Sequence, residues 1–384
     1  MRPRERFAAA TAHEQPDRAP VDFGKHIGSF HRDVYPALRA ALGKADLPPV
    51  PRILDRMAQN IVLDEPVCER LGIDFRWLVP RWVGVEEVEV EGEPGYVDMW
   101  QTPHVYSEDG GYYAIAGHPL GASEELTEAE LAAFAWPDPD QPAMFEGLAE
   151  QARRWYEDTD LVVGADGIKV GILQTASQLR GYDKLFVDLA LAPERAHALL
   201  GRISAVIDGM YRRYMAAVGR YVQVVVITDD LGTQQSLMVS PAMFRELFKP
   251  YLASQIAAIK DEAPHVKVLL HSDGAITPII DDLIEIGVDI LNPVQTSAKG
   301  LGDTAALKAS FGDRLCFHGA IDVQQVLPNL TPDGVREEVA RRVADLGAGG
   351  GYIVAPCHNV NVDIPLANVL ALFEAASGDD PDRR

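Results

Sequence analysis

The sequence predicts an α/β protein folded as a single (β/α)8 barrel of the TIM type, with an N-terminal extension and an inserted β-hairpin, occupying residues 1–384 as one domain. Three observations predict it. From about residue 160 onward, short apolar runs alternate with segments of helical period, the pattern of strands and helices packed around a parallel sheet. Those runs are nearly continuous in apolar residues rather than alternating, as strands covered on both faces must be. No stretch rich in Gly, Ser or Pro separates two domains, since the nearest one, 137–142, is short enough to be a loop.

The elements follow in order. A helical opening ends near Glu14-Gln15-Pro16-Asp17-Arg18, and a first strand is expected at 20–24. Residues 83–113 read as an insertion: 85–90 and 96–100 form the arms of a hairpin, joined by a Gly-Pro turn at 92–95. Barrel strands are expected at 161–164, 222–228, 266–270, 290–292, 315–317 and 352–354. Between 193 and 219, Leu199, Ile203, Val206, Met210 and Tyr214 recur on one face of a helix. Ser240-Pro241 and Thr331-Pro332 read as N-caps followed by a proline in the first turn, Gly287 as a stop, and Val335, Val339 and Val343 as the stripe of a further helix. Gly349-Gly350-Gly351 precedes a strand instead of following one, so it reads as a tight helix-to-strand turn and not a phosphate loop.

Composition narrows the function classes. The formal charge of −22, from 35 basic and 57 acidic residues, repels phosphate backbones and anionic lipid, which argues against nucleic-acid and membrane partners. Cys68, Cys316 and Cys357 are odd in number and far apart, so they are not a disulfide framework. The N-terminus lacks the apolar core of roughly 7–15 residues found in a signal peptide, and no run approaches the ~20 apolar residues of a membrane span. A cytoplasmic enzyme is the expectation.

In such a barrel the chemistry gathers at the carboxyl ends of the strands. Here strand after strand ends in a group that binds metal or moves a proton: Asp166, Asp229-Asp230, His271 and Asp273, Gln295, His318 and Asp322, and Cys357-His358. Two residues apart on an extended chain, His271 and Asp273 share a side. A thiolate at Cys357 completes a mixed N/O/S set of the kind zinc accepts, with a fourth position left for water or substrate. Against this, strand-end histidines often satisfy backbone carbonyls, and buried cysteines are commonly small hydrophobes. Of Asp229 and Asp230, alternation points one into the mouth as a base, ligand or substrate anchor, whereas an N-cap in a turn is the competing role. His26, His31, His104 and His118 read as surface or hydrogen-bonded histidines.

Several motifs in their order resemble the uroporphyrinogen decarboxylase superfamily, nearer to its cobalamin-dependent (corrinoid) methyltransferase branch than to the decarboxylases. They are the opening Pro3-Arg4-Glu5-Arg6 with 14–22, Asp229-Asp230-Leu231-Gly232-Thr233-Gln234, His271-Ser272-Asp273-Gly274, the run 287–295, Phe317-His318-Gly319-Ala320-Ile321-Asp322, and 350–353 with 364–368. The decarboxylases carry an arginine-rich N-terminal motif that residues 23–28 lack. The methyltransferase branch has a zinc site made of a His-x-Cys pair and a later cysteine. His271 matches the histidine, Asp273 stands in place of the first cysteine, and Cys357 matches the later one. That departure leaves open whether Asp273 or His358 completes the site, and an oxygen ligand makes a harder Lewis acid.

The resemblance implies a zinc-dependent methyltransferase, with His271, Asp273 and Cys357 on the metal and Asp229, Asp230 and His271 in catalysis. Gln234, Gln295, His318, Asp322 and His358 are the expected substrate contacts. The methyl group passes between a small methoxy or methylamine compound and cobalamin. No Asp-x-His-x-x-Gly motif occurs here, so a separate corrinoid protein is the expected cobalamin-bearing partner, alongside a possible homodimer. The alternatives are a metal-independent decarboxylase or lyase acting on a cyclic or aromatic carboxylate, using Asp229 or Asp230 with His271, and a non-catalytic binding barrel.

Overall fold

The computed structural model describes residues 1–49, 51–90, 92–107, 111–168 and 171–378. Its centre is a curled sheet of seven parallel strands, here β1 Phe75–Leu78, β2 Val162–Ala165, β3 Val224–Thr228, β4 Lys267–His271, β5 Ile290–Asn292, β6 Cys316–Ile321 and β7 Tyr352–Pro356. Each strand pairs with its neighbours in sequence. Except for half-buried Lys267, every residue of these strands is buried, which is why they read as unbroken apolar runs.

The segment expected as a first strand closes the sheet with a single bridge. Val21 pairs parallel to Val354, Asp22 N–H donates to Val354 O at 3.0 Å, and on the other side Asp74 N–H donates to Val21 O at 2.9 Å. The run stops there because Gly24, at φ +107°, turns the chain back so that Gly24 and Lys25 N–H both meet Gly28 O. The eighth barrel position is therefore filled, but by three residues.

The outer helices match the periodicity. Pro193–Val218 buries Leu199, Ile203, Val206, Met210 and Tyr214. Ser240 Oγ caps its helix by accepting from Met243 N, and Thr331 does the same for Gly334 N in Pro332–Gly347. Gly349, Gly350 and Gly351 all have positive φ and lead directly into β7.

The insertion is larger than a hairpin. Glu86–Val90, Glu93–Val97, Pro103–Ser107 and Tyr112–Ile115 form a four-stranded antiparallel meander. Residues 91 and 108–110, within the expected hairpin region, lie outside the described residues. Gly95 is not in the turn: it sits in the second strand opposite Val88, where a Cβ would come within 2.3 Å of His104 O. The strand ends at Val97, and the side chain of the next residue, Asp98, accepts from Trp100 N and Thr102 N. No helix is long and apolar enough to cross a membrane among the described residues.

Candidate metal centre

His271 is the last residue of β4, in register with Thr228 of β3 and Asn292 of β5. A buried chain of hydrogen bonds fixes its tautomer. Lys25 Nζ donates to Asp22 Oδ2 at 2.6 Å, and Trp77 Nε1–H donates to Asp22 Oδ1 at 2.8 Å. Asp22, a carboxylate, only accepts, so His318 donates its Nε2–H to Oδ2 at 2.7 Å. The bare Nδ1 of His318 then accepts from the Asn292 amide at 2.7 Å, and Asn292 Oδ1 accepts the Nδ1–H of His271 at 2.6 Å. The lone pair of His271 is left on Nε2.

Burial alone would raise the Asp22 pKa, yet the Lys25 charge and the bond from His318 bring it down to about 2. Burial, reinforced by Lys25, lowers His318 to about 4, so this imidazole is neutral.

His271, Asp273 and His358 each offer a ligand atom, and these lie within 4.8 Å of one another. The two rings are 5.8 Å apart between centroids. Asp273 N–H donates to Asp230 Oδ1 at 3.0 Å, and that oxygen is 3.8 Å from His271 Nε2. Gln174 holds the other Asp230 oxygen at 2.6 Å. Burial lowers the pKa of His358, keeping its lone pair available.

Asp229 turns away from this cluster. Its oxygens accept from Leu173 N and Gln174 N, capping the helix Ile172–Arg180. The approach is close enough that a Cβ on Gly171 would sit 2.4 Å from the Asp229 side chain. Full burial lifts its pKa to about 7 against the pull of those amides. Cys357 is not among the three convergent groups. Its Sγ lies 3.7 Å and 3.6 Å from the carbonyl oxygens of Pro293 and Val294, and burial raises its pKa.

The remaining expected contacts divide. Gln295, Asp322 and His358 line one cavity with Asp273 and Cys357. There Gln295 Oε1 accepts from Gly274 N, while Asp322 Oδ1 accepts from Gln324 N and Asp322 Oδ2 is buried with no partner among the described residues. Gln234 is exposed on the rim, 3.5 Å from Gln324 Oε1. His318 lies beneath the cavity in the hydrogen-bond chain. Asn292, Asp22 and Lys25 were not singled out from the sequence. Asn292 ends β5 as His271 ends β4, so the strand-end rule signals it, though it neither ligates zinc readily nor carries a proton. His26, read from the sequence as a surface or hydrogen-bonded histidine, is hydrogen-bonded, with Nδ1 2.5 Å from Asp166 Oδ1.

Residues 113–378 match the family model for uroporphyrinogen decarboxylase (URO-D). The chain belongs to the uroporphyrinogen decarboxylase family. This family member is 29% identical over 188 residues to uroporphyrinogen decarboxylase of Chlorobium phaeobacteroides, a match covering 47% of this chain and 48% of that protein. It is 26% identical over 189 residues to the chloroplastic uroporphyrinogen decarboxylase 2 of Oryza sativa subsp. japonica, covering 48% and 44%. The chain thus spans about half the length of the curated relatives it matches. Among solved structures, a methyltransferase from Methanosarcina mazei superposes over 98% of this chain and 99% of its own at a TM-score of 0.63 and 18% identity, which shows a shared fold. In this uroporphyrinogen decarboxylase family member, residues 23–28 carry one lysine, and Lys25 is buried against Asp22.

Proposed function

We propose that this protein is a zinc-assisted methyltransferase that moves a methyl group between a small methoxy or methylamine compound and a cobalamin carried by a separate corrinoid protein. The observation that carries the reading is the convergence of His271, Asp273 and His358 at the barrel mouth. Two imidazoles and one carboxylate are a donor set that zinc accepts, and three protein ligands leave a position open. The fit rests also on His271, whose Nδ1–H is engaged by Asn292 so that Nε2 is free to ligate.

When bound, zinc would supply Lewis-acid stabilisation to the oxygen or nitrogen that loses its methyl group. The chain's own residues do the rest. Asp273 and Asp230 hold negative charge at the mouth, and Gln174 fixes Asp230 beside the cluster. Asp322 Oδ2, buried without a partner, is placed to accept a hydrogen bond from a substrate in the cavity.

A metal-independent decarboxylase is the second reading, favoured by the names of the curated relatives. Against it, the cavity beside the cluster is lined by Asp273, Asp322 and Asp363 and, among the described residues, by no lysine or arginine, which repels a polycarboxylate. Chelation separates the two. Methyl transfer from a methoxylated or methylamine donor to free cob(I)alamin should disappear after dialysis against a strong chelator and return with zinc. Activity that survives chelation unchanged would overturn the first reading.

A further inference from the structure

A second cavity lies between the ends of β1 and β2 and the antiparallel insertion. Its walls are mostly apolar and aromatic: Val79, Trp82 and Val83 follow β1, Ile168 follows β2, and Met99 and Trp100 come from the insertion. Its polar wall groups are nearly all engaged. Asp55 accepts from Met57 N and Ala58 N, Asp98 from Trp100 N, Thr102 N and the His104 ring, and Arg81 pairs with Glu146.

His26 is the exception at the barrel end. Asp166 holds it twice, accepting its backbone N–H at 2.9 Å and facing ring Nδ1 at 2.5 Å. The residue is 8% exposed, and its ring Nε2 is buried with no hydrogen-bond partner among the described residues. A buried polar atom left unmet in an oriented, carboxylate-paired ring is a site waiting for a partner. His104, on the opposite wall, repeats the pattern: Asp98 holds Nε2, and Nδ1 is buried and unmet.

We infer that this cavity binds a neutral aromatic ring bearing a hydroxyl, a phenol such as a methoxyphenol, with the ring against Trp82 and Trp100 and its O–H donating to His26 Nε2, the acceptor left when Nδ1–H meets Asp166. Apolar and aromatic walls favour a planar ring. The carboxylates of Asp55, Asp98 and Asp166 around it disfavour an anionic one. The inference rests on the proposed function in taking this ring as the methyl-bearing compound of the reaction, and it narrows that compound to the oxygen-substituted aromatic class.

The test is titration of the full-length protein with 2-methoxyphenol, phenol, methoxycyclohexane and benzoate, read by quenching of tryptophan fluorescence and by calorimetry. The two phenols should bind about tenfold or more tightly than methoxycyclohexane and benzoate. His26→Ala should weaken them by about tenfold or more, because the site then lacks the group that meets the oxygen. Val83→Trp, which fills the cavity from a half-buried loop position and leaves the His26–Asp166 pair intact, should abolish binding. Equal binding of 2-methoxyphenol and methoxycyclohexane by the wild-type protein, or unchanged phenol binding in a folded His26→Ala protein, would overturn the inference. Repeating the titration after zinc removal separates the two ideas: phenols that still bind leave the subsite standing even where methyl transfer is never found.

Discussion

The Nδ1–H of His271 and Oδ1 of Asn292 meet at 2.6 Å, and this one bond decides which nitrogen of His271 faces the barrel mouth. It also joins the cluster to a chain that ends on a fully buried pair, Asp22 and Lys25. An imidazole held this way is oriented before any ligand arrives. Asn292→Leu, similar in size but without either hydrogen bond, should weaken zinc binding about 10- to 100-fold in competition with a fluorescent chelator. An unchanged affinity would show that the chain serves packing alone.

His318 sets a dependence of stability on acid. Its ordinary pKa of 6.5 falls to about 4 in the fold because burial and Lys25 disfavour its charged form. Between those values the unfolded chain binds more protons than the folded one, so stability is full above pH 6.5 and declines as the pH drops toward 4. The loss amounts to about 3 kcal/mol at most. Asp22 acts in the same direction at lower pH, its contribution fading as the pH falls through about 2. Thermal melts from pH 7 to 4 should show the decline, and His318→Asn should flatten it.

Asp229 and Asp230 are neighbours with separate tasks. Asp229→Ala removes the acceptor for two amides at the start of Ile172–Arg180 and should cost about 1–2 kcal/mol in urea unfolding. Asp230→Ala, at a half-exposed position 3.8 Å from His271 Nε2, should leave stability within about 0.5 kcal/mol and lower turnover instead. The reverse pattern would interchange their roles.

Cys357 has its thiol against two backbone carbonyls and outside the group of His271, Asp273 and His358. Cys357→Ala should therefore retain zinc at the wild-type stoichiometry, measured by inductively coupled plasma mass spectrometry. Loss of the metal would make Cys357 a ligand after all.

Much of the barrel was legible because its strands are buried on both faces and so carry long apolar runs, as Val224–Thr228 and Tyr352–Pro356 do. The meander was less so. Glu86–Val90 is half-exposed and charged, and Gly95 looks like a turn residue although its lack of a Cβ serves strand pairing. At the site, His271 and Asp273 come together as two-residue spacing implies. The sequence assigns Cys357 to the metal and His358 to substrate, whereas His358 is the one grouped with His271 and Asp273, because β7 stops at Pro356 and the loop beyond it decides which side chain turns inward. The contact of Asp22 with His318 spans 296 residues and leaves no local trace. The His26–Asp166 pair is hidden for the same reason, being an association between two distant loops.

The central claim is that His271, Asp273 and His358 hold one metal ion, and metal analysis tests it most directly. Protein purified without chelator and reconstituted with zinc should carry one zinc per chain. His271→Ala, Asp273→Ala and His358→Ala should each lose it while remaining folded by circular dichroism. A wild-type protein that takes up no zinc, or three alanine variants that keep it in full, would contradict the account.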